Sequence, residues 1–208
     1  AGPGTEASVT RLAADGSAVS TFAAFPGFAG GVRVASADFD GDGVLDTAVG
    51  TGPGVPTRVR VVSGATGREL FAITPFEETF TRGVFVAAGD VTGDGRPELV
   101  ITPDEGGGPR VRVFDGVGFD QLADFFGIQD ATFFGGARAA VGDVDGDGVG
   151  DLLVAAGFGG GPRVAGFTGA SVAANRPVRL FADFFAFEPE LRNGVYLAAG
   201  DLTGDGAT

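Results

Sequence analysis

Four short acidic segments recur along this chain of 208 residues, beginning at Asp38, Asp90, Asp143 and Asp201 and separated by 52, 53 and 58 residues. A glycine stands seven residues before each one, at Gly31, Gly83, Gly136 and Gly194. Such a period restricts the chain to architectures that stack one small unit, because a unit of roughly 50 residues gains a buried core only from its neighbours.

Within a unit the hydrophobic pattern has the period of strands. Arg58-Val59-Arg60-Val61 and Arg110-Val111-Arg112-Val113 alternate in steps of two, as strands with one buried face do. A Phe-rich segment follows (Phe71 to Phe80, Phe181 to Phe187). A third strand precedes each acidic loop (Val84 to Ala88, Val195 to Ala199), and a short apolar run follows it (Leu152 to Ala155). Gly and Pro interrupt every stretch before a helical stripe can extend over three turns. The expected fold is therefore all-β: a β-propeller of four-stranded blades, with blade units at residues 1–50, 51–102, 103–156 and 157–208, the last incomplete. The 39 Gly and 11 Pro read as turns, and the 20 Phe as wedge-filling side chains between blades.

Residue types that are missing exclude whole classes of chemistry. With no Cys there is neither a disulfide framework nor a thiolate site, and with no His there is no Ser-His or Cys-His pair and no imidazole ligand. Oxygen ligands remain, and these favour hard cations. A net charge of −13 repels a phosphate backbone, so nucleic acid is excluded as a partner. No apolar run reaches the length of a membrane span. The chain also lacks Met and an N-terminal signal sequence, and reads as a mature or excised piece of a longer product.

The acidic loops carry the chemistry. Asp38, Asp40, Asp42 and Asp46 occupy positions 1, 3, 5 and 9 of the first loop, and Asp143, Asp145, Asp147 and Asp151 occupy them in the third. Four carboxylates within nine residues repel one another unless a cation neutralises them. Calcium accepts six to eight oxygens in a flexible shell, and the carbonyl at position 7 (Val44, Arg96 or Val149) and water can complete it. An EF-hand is excluded, since position 12 is Val49 in the first loop and Val154 in the third. The second loop, with Asp90, Thr92, Asp94 and Glu98, replaces one charged ligand by a hydroxyl and is expected to bind more weakly. In the fourth, Asp201, Thr203 and Asp205 are present, and the sequence stops before position 9. One calcium per loop, up to four, is the expectation.

These units resemble the FG-GAP repeats of integrin alpha-subunit propellers and of related bacterial secreted proteins. The glycine seven residues before each Asp-x-Asp-x-Asp-Gly-x-x-Asp loop is kept, and the closing segment survives as Gly50-Thr51-Gly52-Pro53 and Thr102-Pro103. The preceding Phe is replaced by Gly30, Arg82, Gly135 and Asn193. The resemblance implies a propeller with calcium in a hairpin at the edge of each blade, in an extracellular or cell-surface protein.

The first functional reading is a structural or adhesive module that contacts protein. The alternative is a calcium-dependent lectin that binds glycan at the cell surface, with Asp124, Asp130, Glu77 and Glu190 as candidates outside the loops. The absence of Trp and the single Tyr, Tyr196, count against it. An enzyme ranks third: Glu77-Glu78 and Asp104-Glu105 are adjacent pairs, and neighbours on a strand point to opposite faces. Gly106-Gly107-Gly108-Pro109 and Gly159-Gly160-Gly161-Pro162 each lead into a strand, so neither is a phosphate cradle at a helix start. The incomplete fourth unit implies continuation of the chain into a larger propeller, or edge-to-edge self-association.

Overall fold

A computed structural model describes residue 4, residues 6–204 and residue 208. An antiparallel hairpin of β1 (Ser8–Leu12) and β2 (Ala18–Ala23) comes first. Three four-stranded antiparallel meanders follow. They comprise β3 (Val32–Ala37), β4 (Asp46–Thr51), β5 (Val59–Val62) and β6 (Glu69–Ile73); then β7 (Val84–Gly89), β8 (Glu98–Pro103), β9 (Arg110–Phe114) and β10 (Gln121–Phe126); then β11 (Ala137–Gly142), β12 (Asp151–Ala156), β13 (Arg163–Phe167) and β14 (Arg179–Phe185). The first strands β3, β7 and β11 pack against one another from sheet to sheet, so the meanders are blades set side by side. This is a β-propeller architecture.

Hydrogen bonding selects the phase of the repeat. Each sheet begins with the strand before an acidic loop, and the ladders β4–β5, β8–β9 and β12–β13 run across the boundaries anticipated at residues 50/51, 102/103 and 156/157. A cyclic repeat can be cut anywhere in sequence; only strand pairing fixes where one sheet ends. Val195 to Ala199, anticipated as a strand, forms no ladder among the described residues. The Val195 N–H donates to the Ala156 carbonyl at 3.1 Å.

The core lies between blades. Phe39, Val59, Val61, Phe76, Leu99, Ile101 and Phe114 form one buried cluster between the first two meanders, and Val100, Val111, Leu152, Val154 and Phe167 form the next. The second strands β4 and β8 are buried on both faces, and their interiors, Ala48-Val49-Gly50 and Leu99-Val100-Ile101, carry no polar side chain. Phe residues fill the wedges as anticipated at Phe39, Phe76 and Phe114, whereas Phe184, Phe185 and Phe187 on the last blade are half exposed. Between β13 and β14 lies a single helical turn, α1 (Gly169–Ala173).

Candidate metal centre

The first three acidic loops each close the hairpin between the first and second strands of a blade. In the first blade Ala37 pairs with Asp46 and residues 38–45 span the gap. The position 1 carboxylate organises the turn: Asp38 accepts N–H bonds from Gly41 (2.7 Å), Asp42 (3.1 Å) and Gly43 (2.9 Å). Asp143 repeats this with Gly146, Asp147 and Gly148, and Asp90 with Gly93 and Gly95. Such wrapping requires left-handed backbone at positions 4 and 6. Gly41 and Gly43 have φ of 72° and 84°, and their counterparts in loops two and three lie between 77° and 87°. The glycines are thus what allows donors to converge on one carboxylate.

Two trios of carboxylates result. One oxygen each of Asp38, Asp40 and Asp42 lie within 4.8 Å of one another, and so do those of Asp143, Asp145 and Asp151. Asp38 Oδ2 and Asp143 Oδ2 each accept a single N–H and keep a lone pair for a cation, and the donor set is all hard oxygen, so the residues present fit calcium. Loop two, with Thr92 in place of an acid, forms no such trio among the described residues. Asp94 there accepts the Arg96 N–H, as Asp42 accepts that of Val44. In the fourth loop Asp201 accepts N–H bonds from Thr203 (3.0 Å) and Gly204 (2.6 Å), the same start of a turn; Asp205 lies outside the described residues.

Position 9 has a second role that the spacing did not reveal. Asp46 is wholly buried: its Oδ2 accepts from the N–H groups of Phe39 (2.8 Å) and Asp40 (3.2 Å), and its Oδ1 from Gly64 (2.8 Å) in the turn between β5 and β6. Asp151 accepts in the same way from Val144 and Gly169, and Glu98 from Val91 and Thr92. These acids tie the loop to the body of its blade. Burial raises the pKa of Asp151, and burial together with the charges of Asp90 and Asp94 pushes Glu98 up to about 7.

Neighbouring loops are also linked. The position 8 N–H of Gly150 donates to the Asp90 carbonyl (2.7 Å), and that of Thr208 to the Asp143 carbonyl (2.6 Å). In loop two position 8 is Pro97, which has no N–H, and the Arg96 guanidinium instead reaches back to the Phe39 carbonyl of loop one. Arg96 therefore bridges two loops through its side chain. Position 7 packs on position 4 of the preceding loop: a Cβ at Gly93 would lie 2.9 Å from Val149, and at Gly41 it would strike Arg96.

The remaining acids considered from sequence are placed otherwise. Asp124 is engaged by Arg110 and Arg112; burial pushes its carboxyl up, but the hydrogen bonds and charges of the two arginines outweigh that and hold it low. Glu77 lies 3.9 Å from Arg110, Asp104 pairs with Arg33, and Asp130 caps Thr132. Glu78, Glu105 and Glu190 are exposed. Tyr196 is 72% exposed, with the Arg138 guanidinium 4.0 Å from its ring centre.

Blades of four antiparallel strands with an acidic hairpin loop after the first strand define a propeller of the repeat-loop class. Residues 90–154, from loop two to the second strand of the third meander, match the model of the FG-GAP-like repeat family. Over 144 residues, 62% of the chain, the sequence is 31% identical to integrin alpha-V of Gallus gallus, and the matched part spans 14% of that protein. Residues 90–154 thus carry the FG-GAP-like repeat pattern, and the chain is similar in sequence to an integrin alpha subunit. Among solved structures the exotype rhamnogalacturonan lyase YesX superposes with a TM-score of 0.56 at 14% identity, covering 95% of this chain and 39% of that one. Rhamnogalacturonan lyase YesW gives 0.51 at 12% identity, covering 84% and 36%. At such identities the likeness is one of fold alone. No helix among the described residues is long and apolar enough to cross a membrane.

Proposed function

We propose that this chain is a calcium-binding β-propeller module of an extracellular or cell-surface protein, and that its role is protein contact and not catalysis. The observation that carries the metal reading is the pair of carboxylate trios, Asp38-Asp40-Asp42 and Asp143-Asp145-Asp151, on identically wound loops. The similarity to integrin alpha-V supports an extracellular interaction role. Calcium would draw the carboxylates of each loop together and stiffen one end of the blade, where loops already bond to their neighbours. Asp38, Asp40 and Asp42 would hold it in the first blade and Asp143, Asp145 and Asp151 in the third. Loop two would bind more weakly through Asp90 and Asp94, with the Thr92 hydroxyl as a neutral donor.

The test is a melting curve in calcium and in EGTA. A ligand at a hundredfold excess over its Kd stabilises the native state by about 2.7 kcal/mol, so the midpoint should rise clearly with calcium. Overlaying curves, in the absence of any heat of calcium binding by calorimetry, would refute the metal reading.

A further inference from the structure

The end of the first blade opposite its acidic loop carries a cleft of about 720 Å³, lined on its apolar side by Phe25, Phe28, Val55 and Ile73 and on its polar side by Arg58 and Arg60. Its size is that of a small-molecule site. Arg60 is committed: Nε meets Glu69 at 2.6 Å and Nη1 donates to the Ala24 carbonyl at 2.7 Å. Arg58 is exposed, and its guanidinium has no hydrogen-bond or ion-pair partner among the described residues.

The other two blades show what this arginine is built to meet. Arg58, Arg110 and Arg163 each precede the first buried valine of the third strand: Val59, Val111 and Val164. Arg110 is gripped by Asp124 through two bonds, Nε to Oδ1 at 2.5 Å and Nη2 to Oδ2 at 2.6 Å, and Arg163 lies 2.6 Å from Asp183. In the second blade Asp124 stands opposite Arg112 on the fourth strand; in the first, the residue opposite Arg60 is Ala72. The second acid beside Arg110, Glu77, follows Phe76, and the residue that follows the matching Phe25 is Pro26. Both carboxylates are therefore replaced in the first blade. The matching cleft of the second blade has about 280 Å³.

We propose that the cleft of the first blade is a binding site for a carboxylate carried on a partly apolar body, with Arg58 as the anion-binding residue. The ligand carboxylate takes the place that Asp124 and Asp183 hold on the other blades, in a forked contact with the guanidinium, while its body rests on Phe25, Phe28 and Ile73. Thr51 and Ala72, which also line the cleft, are short enough to leave that place open. The site lies at the far end of the blade from the acidic loops and does not depend on metal.

The experiment is ligand-observed NMR and calorimetry on the 208-residue chain with two carboxylate probes, glucuronate and N-acetyl-aspartyl-phenylalanine amide. Their uncharged counterparts, glucose and the asparaginyl peptide, serve as controls. At least one acid should bind tenfold more tightly than its counterpart, and the stronger probe identifies a sugar or a peptide source. Ala72→Asp installs the internal partner that the other blades have, and Arg58→Gln removes the cation. Each should weaken the acid at least tenfold, with the far-ultraviolet circular dichroism spectrum and melting point showing that the fold is retained. Equal binding of acid and counterpart, binding of neither acid, or undiminished binding by Ala72→Asp with its fold intact would overturn the proposal.

Discussion

Replacing Asp46 by Ala separates the two roles that position 9 could have. The side chain is wholly buried and accepts three backbone N–H bonds, from Phe39, Asp40 and Gly64. Asp46→Ala leaves all three donors without their acceptor. The Phe39 N–H is buried and bears the full penalty of an unmet donor, about 1–3 kcal/mol; those of Asp40 and Gly64 are part-buried, where water makes up some of the loss, so each adds about 0.5–1 kcal/mol. Together the loss is about 3 kcal/mol. Asp46→Asn keeps one oxygen for Phe39 and Asp40 but turns an amide donor toward the Gly64 N–H, and should cost about 1–2 kcal/mol. Urea denaturation followed by circular dichroism, in EGTA, measures both. A pure metal ligand would show no cost without metal, so a change below about 1 kcal/mol for Asp46→Ala in EGTA would refute the structural tie.

Asp40→Ala and Asp145→Ala each remove a charged member of a carboxylate trio, and calorimetry should show a larger loss of calcium affinity for them than for Thr92→Ala; equal losses would contradict the ligand assignment. Glu98 has a folded pKa of about 7 against 4.5 for the free group, so its contribution is fully present below about pH 4.5 and is lost as pH rises through 7. In EGTA, wild type should therefore fall behind Glu98→Gln by on the order of 3 kcal/mol between pH 4.5 and 8, while a pH-independent difference would rule out the buried acid as the cause. Gly41→Ala forces a side chain onto a φ of 72° and against Arg96, and should destabilise by about 1–2 kcal/mol by the same urea assay; a neutral result would mean that the turn relaxes freely.

Much of this was legible in sequence because it is local. Alternation of Val and Arg with a period of two specifies strands, and the recurrence of Asp38, Asp90, Asp143 and Asp201 after a fixed glycine specifies repeated hairpins. The convergence of Asp38, Asp40 and Asp42 follows from the Gly residues between them, which is short-range chemistry. Tertiary structure decided what depends on neighbours. The phase of the blades was set by strand pairing, which reaches across residues far apart in sequence. That Asp46 binds a turn 18 residues away, that Arg96 substitutes for the N–H Pro97 lacks, and that Arg58, unlike Arg110 and Arg163, has no carboxylate partner among the described residues became visible only when strands were laid in register. Sequence spacing fixes which side chains a turn can gather, whereas partners brought together by packing depend on distances that no local pattern encodes.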